Sequence, residues 1–63
     1  MEGNIKWFNT KKGFGFIQGD DEVDYFVHHT AVVGRKYLND NDRVSFDVVN
    51  TERGKQAQNV NLI

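Results

Sequence analysis

Lys12-Gly13-Phe14-Gly15-Phe16-Ile17 is the stretch of this 63-residue sequence that decides its fold, because large and small side chains alternate along it. Residues two apart on a β-strand point to the same face of the sheet. Phe14 and Phe16 therefore share one face, and Gly15 and Ile17 share the other. If Ile17 points into a core, both rings point toward solvent beside a lysine. Exposed rings with a cation at their edge suit the stacking of unpaired bases and contact with their phosphates.

A second segment, Asp24-Tyr25-Phe26-Val27-His28-His29, repeats this alternation. Val27 is the natural core residue of the segment. Phe26 and His28 then face the same way as the first pair of rings, while the tyrosine faces inward with Val27. Trp7, which lies between a lysine and a phenylalanine, adds a third aromatic segment. The sequence therefore predicts an outward aromatic surface that draws on three strands.

The same rings could instead fill the core, as most phenylalanines of small domains do. A chain of this length encloses only a small interior, and it contains five Phe, two Tyr and one Trp. These rings would compete for space with five valines that we predict in the core: Val23, Val27, Val44, Val48 and Val60. We therefore favour an exposed platform, because an exposed aromatic patch usually marks a binding site.

Five short strand candidates are separated by polar, glycine-containing turns. They are Asn4–Asn9, Phe14–Gln18, Tyr25–His28, Arg43–Asn50 and Gln56–Leu62. No segment keeps a helical period of 3.6 residues, and at most one helical turn is predicted near residues 30–33. Short strands with turn signals between them favour a small, closed, five-stranded antiparallel barrel of the all-β class, in which no sheet edge stays exposed. We expect a single domain over residues 1–63.

The charge distribution is uneven although the net charge is only −1. Residues 1–18 carry Lys6, Lys11 and Lys12 against Glu2 alone, and acidic residues cluster at 20–24. Binding to nucleic acid should therefore depend more on stacking than on counterion release. The chain lacks Cys, a signal-peptide core and an apolar run long enough to span a membrane, so we expect a cytoplasmic protein.

The motifs that carry these patterns resemble those of the bacterial cold-shock proteins. Residues 12–17 resemble the first RNA-binding motif of that family, and residues 25–29 resemble the second. Residues 3–9, 44–46 and 56–60 also match, so the likeness spans essentially the whole chain in family order. It implies an OB-type barrel that binds single-stranded RNA and DNA, acts as an RNA chaperone and is linked to growth at low temperature.

The resemblance also implies a set of nucleic-acid-binding residues. By matching position, bases would stack on Trp7, Phe14, Phe16, Phe26 and His28. Phosphates or base edges would meet Lys6, Lys12 and Arg53, and bases would form hydrogen bonds with Asp24 and Gln56. We expect a monomer without a cofactor, a metal, a membrane contact or a small-molecule substrate.

Several positions depart from the family pattern. His29 stands where the family usually has Phe, so that stacking surface is smaller and polar. Tyr25 replaces an inward Val, and its hydroxyl needs a partner or a route to solvent. The loop before Tyr37 is about two residues short beside typical loop lengths, and Tyr37 is the candidate for the family's loop aromatic. Lys55 stands where Pro is common, and Gln58 replaces a small residue.

Other classes of protein fit less well. An RNA-recognition-motif domain shares Lys-Gly-Phe-Gly-Phe, but it needs a further aromatic where Gly19 stands and two helices that the pattern lacks. A dinucleotide fingerprint needs a third glycine at the position of Gln18. His28 and His29 would diverge on a strand unless it ended between them, and no Cys supports a metal site. No nucleophile with a base and an orienting group is evident, so we do not expect an enzyme.

The strongest alternative is a small barrel that binds a protein partner through the same aromatic face, because exposed rings serve that purpose too. The flanking lysines and the paired motifs favour nucleic acid.

Overall fold

Five strands and one short helical turn form in the computed structural model, which describes residues 1–34 and 38–63. The elements are β1 Glu2–Asn9, β2 Phe14–Gly19, β3 Asp24–His28, a 3₁₀ turn at His29–Ala31, β4 Arg43–Thr51 and β5 Gly54–Leu62. All five predicted strands are confirmed, with ends that move by at most two residues. The site prediction at Tyr37 lies outside the described residues.

The strands close into a barrel in the order β1-β2-β3-β5-β4. Four of the five pairings are antiparallel. The fifth, between β3 and β5, is parallel and joins the strands at Phe26 and Gln56. An odd number of strands cannot alternate direction all the way around a closed ring, so one parallel pairing is unavoidable. The closed barrel is confirmed, and the antiparallel prediction is wrong at this one seam.

The alternation of side chains along β2 and β3 determines which of them point into the core of the barrel. Ile17 and Val27 are fully buried, whereas Phe14, Phe16 and Phe26 on the opposite face are half-buried and lie outside the core cluster. The buried core consists of Ile5, Ile17, Tyr25, Val27, Val32, Leu38, Val44, Phe46, Ala57 and Val60. The three phenylalanine rings of the two motifs therefore face outward, as predicted.

Two of the five valines predicted in the core are not buried. Val23 is half-buried and packs at the edge of the core. Val48 is 38% exposed. The register between β4 and β5 shifts between Ser45 and Asp47, and the regular alternation of buried and exposed residues along β4 stops after Phe46. Val48 lies opposite the buried Ala57, so alternation predicts its face correctly but not its exposure near the end of β4.

The inward Tyr25 has a hydrogen-bond partner for its hydroxyl four residues earlier in the chain. Its ring is 2% exposed and packs against Phe46 with centroids 5.1 Å apart. Its hydroxyl donates a hydrogen bond of 2.6 Å to Oδ2 of Asp21 in the β2–β3 turn. This bond lowers the pKa of Asp21 and raises that of Tyr25. Among the described residues, no buried polar side-chain atom lacks a hydrogen-bond partner.

An arginine-centred ion cluster joins the first strand, the β2–β3 turn and the start of β4. Both terminal nitrogens of Arg43 donate to the carboxylate of Asp20, at 2.7 and 2.6 Å. The same guanidinium reaches Glu2 and Asn4 at 3.3 Å each. The hydrogen bonds from Arg43 hold the pKa of Asp20 below its ordinary value. Ionised Asp20 therefore stabilises the folded barrel.

We expect Asp20→Asn to lower the free energy of unfolding near pH 7 and to have little effect near pH 2. Because the pKa of Asp20 is lower in the folded than in the unfolded chain, its stabilisation is present above the ordinary pKa of about 4 and disappears as the pH falls through the lowered value. Urea unfolding at both pH values measures the gap between the two proteins. Asp40→Asn, which removes a charge from an exposed turn, is the control. A gap that is unchanged in acid would contradict this assignment.

Candidate nucleic-acid interface

A row of directly paired residues runs across the outside of the barrel. Trp7 on β1 lies opposite Phe16 on β2, Phe16 lies opposite Phe26 on β3, and Phe26 lies opposite Gln56 on β5. Residues paired in this way point to the same face of a sheet. The barrel thus aligns three aromatic side chains and one amide from four different strands.

Trp7 reaches this row because β1 is irregular. Ile5 is fully buried, and regular alternation would turn Trp7 inward with it. The pairing of β1 with β2 shifts register between Ile5 and Trp7. Beyond the shift, Phe8 packs against the core and Trp7 is 41% exposed. The irregularity therefore re-aims a side chain, which is a common role of β-bulges.

Four rings, Trp7, Phe14, Phe16 and Phe26, form a continuous surface that we call the aromatic wall. Trp7 lies 5.9 Å from Phe14 and 5.6 Å from Phe16, measured between ring centroids. Phe26 lies 5.9 Å from Phe14, nearly parallel to it, and 5.8 Å from Phe16 in an edge-on arrangement. Each ring contacts two others, so the three phenylalanines are half-buried rather than fully exposed. Their orientation is confirmed, and their exposure is smaller than we expected.

The two predicted histidines extend one end of the aromatic wall. His28, at the end of β3, is exposed and pairs in register with Phe14. Its Nδ1 lies 2.9 Å from the hydroxyl of Thr30. Because β3 ends at His28, the ring of His29 turns back to within 4.4 Å of it, instead of diverging as it would along a strand. Gly13 supports this position, since a Cβ there would collide with the His29 ring.

Proximity does not make these two rings a metal centre. Across residues 1–34 and 38–63, no group of three His, Cys, Asp or Glu side chains is arranged to hold a metal ion. The imidazoles instead offer a flat, polar continuation of the ring surface.

Two of the predicted polar residues contact each other. Nζ of Lys6 lies 3.0 Å from Oδ2 of Asp24, and both side chains are nearly half exposed. An ion pair this exposed contributes little to stability. It orients the carboxylate and the ammonium beside the aromatic wall, where either can meet a base edge. Lys12 is exposed in the neighbouring β1–β2 turn, and its backbone N–H donates to Oδ1 of Asn9.

A cleft of about 360 Å³ lies where β3 meets β5. It is lined by two rings of the aromatic wall, Phe16 and Phe26, and by the polar residues Asp24 and Gln56. The remainder of its lining is Arg53 of the β4–β5 turn and the first two residues of β5, Gly54 and Lys55. An apolar surface with a few convergent polar groups and cations has the chemistry needed to hold a base and its phosphate.

Most described residues of the predicted site lie on the aromatic wall, at its histidine end or along the cleft. Lys6 contacts Asp24 of the cleft lining, and Lys12 lies in the β1–β2 turn. Lys55 was weighed, with Arg53, as either an ordinary turn charge or a phosphate contact, and it was not named among the site residues. It lines the cleft, and its charge contributes to the lowered pKa of Asp21. The signal that could have found it is its position between two named site residues, Arg53 and Gln56, at the start of β5.

These features define a small closed barrel with an outward aromatic wall, and comparisons with known proteins agree. The model of the "cold-shock" DNA-binding domain family matches residues 1–63. The cold shock-like protein CspC of Bacillus cereus is 50% identical over 62 residues, which cover 95% of each chain. The cold shock protein CspD of Bacillus subtilis (strain 168) is also 50% identical over 62 residues, covering 95% of this chain and 94% of the relative.

A solved structure shows the same fold. The chain described as Drosophila Unr CSD456 superimposes with a TM-score of 0.79 at 29% identity, and the match covers 98% of this chain and 26% of that one. This chain therefore belongs to the cold-shock domain family, whose members bind single-stranded nucleic acids. Its function is that of a nucleic-acid-binding cold-shock protein. Within the part of the chain that the structure describes, no helix is long and apolar enough to cross a membrane.

Proposed function

We propose that residues 1–63 form a single cold-shock domain that binds single-stranded RNA and DNA on the aromatic wall and acts as an RNA chaperone. The observation that carries the proposal is the contact of four rings on the outer face of a barrel whose core is already filled by other side chains. The core is complete without these four rings, so the packing of the fold does not explain their position on the surface. Their arrangement suits unpaired bases, which expose both faces for stacking.

The roles of the site residues follow from their places. Bases stack on the four rings and on the imidazoles, phosphates meet exposed cations, and base edges form hydrogen bonds beside the cleft. The stacking residues are Trp7, Phe14, Phe16, Phe26, His28 and His29; the cations are Lys6, Lys12 and Arg53; the hydrogen-bonding residues are Asp24 and Gln56. The protein acts by binding alone and catalyses no reaction.

Stacking can supply the required affinity. Each base–ring stack contributes about 1–3 kcal/mol. Four stacks, less the cost of ordering a flexible strand, leave a Kd of roughly micromolar to nanomolar. Because the wall accepts only unpaired bases, binding shifts RNA from hairpins to open strands by mass action and without ATP. This shift is the chaperone activity in physical terms.

Trp7 fluorescence tests the binding mode, since this indole is part of the wall and is the only tryptophan. We expect an oligothymidine or oligouridine to quench it strongly and a duplex of equal length to quench it far less. The melting temperature of an RNA hairpin should fall as protein is added. Lack of quenching by any single strand, together with unchanged hairpin melting, would reject the proposal and favour a protein partner for the aromatic face.

We expect a shallow salt dependence, because two of the cations among the described residues are already engaged in ion pairs. Lys6 already pairs with Asp24, and Arg43 pairs with Asp20 and Glu2. The slope of log K against log salt should be shallower than about −4, which corresponds to fewer than about five phosphate contacts. Titrations at several salt concentrations measure it. A steeper slope would show that counterion release, rather than stacking, dominates.

We propose that the protein works as a cytoplasmic monomer. The aromatic wall and the cleft are both complete within one chain, so a single copy suffices for one strand. Sedimentation of the free protein and of its one-to-one complex with a short oligonucleotide tests this part of the proposal. A dimer in either state would contradict it.

A further inference from the structure

The row of paired residues that holds the aromatic wall continues one strand beyond Gln56. Val49 on β4 lies directly opposite Gln56 in the β4–β5 pairing. Going around the barrel, the row therefore reads Trp7, Phe16, Phe26, Gln56, Val49. Val49 is 37% exposed and lies two residues from the end of β4. The outer face thus has an apolar group in line with the rings.

Its neighbour along the chain offers a direct contrast. Val48 is 38% exposed, so the two valines differ little in accessibility. Val48 lies opposite Ala57, which is buried in the core, whereas Val49 lies opposite the outward Gln56. Paired residues share a face, so the two valines point to opposite sides of β4. Only Val49 belongs to the face that carries the aromatic wall.

Two amide side chains on the neighbouring strand share the outer face with Val49. Gln56 and Gln58 are two apart on β5 and therefore share this face, and Gln58 is exposed. An amide side chain both donates and accepts hydrogen bonds, so it can pair with the edge of any base. Asp47 lies opposite Gln58. Its carboxylate accepts a hydrogen bond of 2.9 Å from Nδ2 of Asn59, the next residue of β5.

We propose that Val49, Gln56 and Gln58 form an additional base subsite for single-stranded nucleic acid, beyond the aromatic wall and across the seam between β3 and β5. This inference rests on the proposed function. Neighbouring strands lie about 4.8 Å apart, so Val49 stands roughly 10 Å around the barrel from Phe26. A longer strand that covers the rings reaches Val49 with its next nucleotide. The isopropyl group of Val49 packs on the base or on a thymine methyl, and the amides of the two glutamines form hydrogen bonds with the edge of that base.

Oligothymidines of two lengths separate this subsite from the rings. A four-nucleotide strand is held by the wall, whereas an eight-nucleotide strand also reaches β4. We expect Val49→Asp to weaken binding of the longer strand about fivefold or more and to change binding of the shorter strand less than twofold. Val49→Tyr should tighten binding of the longer strand about fivefold, because it adds a ring to the row.

Val48→Asp and Val48→Tyr are the matched controls, since they introduce the same charge or ring one residue away on the opposite face. We expect neither to change binding of either strand. Equal effects at the two positions would overturn the subsite, because a general charge or surface effect would then explain them. No effect at Val49 while the wild-type protein still binds both strands would also overturn it and would leave the proposed function intact.

The methyl resonances of Val48 and Val49 give a readout that needs no substitution. In the unaltered protein, we expect the longer strand to shift the Val49 methyls and the shorter strand to leave them in place, with the Val48 methyls unmoved by both. Unshifted Val49 methyls in a saturated complex with the longer strand would reject the subsite. Failure of both strands to bind would instead reject the proposed function.

Discussion

Phe26→Ala is expected to weaken binding of a short single strand by about 1–3 kcal/mol, which is roughly five- to 150-fold in Kd. Phe26 contacts both Phe14 and Phe16, lines the cleft and pairs with Gln56 across the parallel seam. Its removal takes away one stacking surface and also the support of two neighbouring rings. Quenching titrations with an oligothymidine measure the loss.

The adjacent core residue is the control for this prediction. Val27 is fully buried on the opposite face of β3. Val27→Ala should lower the free energy of unfolding by roughly 1–3 kcal/mol, as core truncations do, and should leave the Kd of the folded protein almost unchanged. Because Phe26 is half-buried against other rings, Phe26→Ala also costs some stability. A Val27→Ala protein that loses as much affinity as Phe26→Ala would show that binding depends on barrel stability and not on the aromatic wall.

Gly15→Ala is expected to cause the largest loss of stability of any single methyl addition in the chain. A Cβ at Gly15 would collide with the carbonyl oxygen of Trp7 and would lie 2.7 Å from Cα of Phe8. These are backbone atoms of the paired strand, so they cannot rotate away. Overpacking costs about 1–3 kcal/mol and occasionally more, and we expect the upper end here because the contacts are with backbone atoms. The unfolded chain could then be a large fraction of the population, since a domain this small has only about 3–9 kcal/mol of stability.

Gly34→Ala separates the collision from the conformational preference of glycine. Gly34 has a φ of +77°, yet a Cβ there would meet no atom of residues 1–34 or 38–63 within 4 Å, its direct neighbour in the chain aside. We expect a loss of about 1–2 kcal/mol from the left-handed backbone alone. Urea unfolding compares the two variants. Gly15→Ala with a loss no greater than that of Gly34→Ala would mean that β1 and β2 separate easily, contrary to the close packing that places Trp7 beside Phe16.

The sequence was sufficient to predict the elements because its period-two alternation is strong where it matters. Ile17 and Val27 identify the inner face of β2 and of β3. The phenylalanines that alternate with them must therefore lie on the outer face. Glycine and Asx turns mark the ends of the strands within two residues. The inward position of Tyr25 was also predictable, and so was the need of its hydroxyl for a partner, which proved to be Asp21.

Alternation fails where the register between two strands shifts. It would have turned Trp7 inward with Ile5, whereas the register shift in the pairing of β1 with β2 leaves Trp7 on the outer face. It gave Val48 the correct face, opposite the buried Ala57, but not the 38% exposure of that side chain. Pairing partners depend on the closure of the barrel, which no local pattern encodes. The same limit explains why the ion pair of Lys6 with Asp24 and the row position of Val49 were not anticipated.

The central claim is that unpaired bases stack on the outward rings of the two motifs while the inward rings stay covered. Ring-proton resonances of the protein, followed as a short oligothymidine is added, test this most directly. Base stacking should shift the resonances of Phe14, Phe16 and Phe26 and leave those of the buried Tyr25 and Phe46 near their original positions. A saturated complex in which the three outward rings do not respond would contradict the claim.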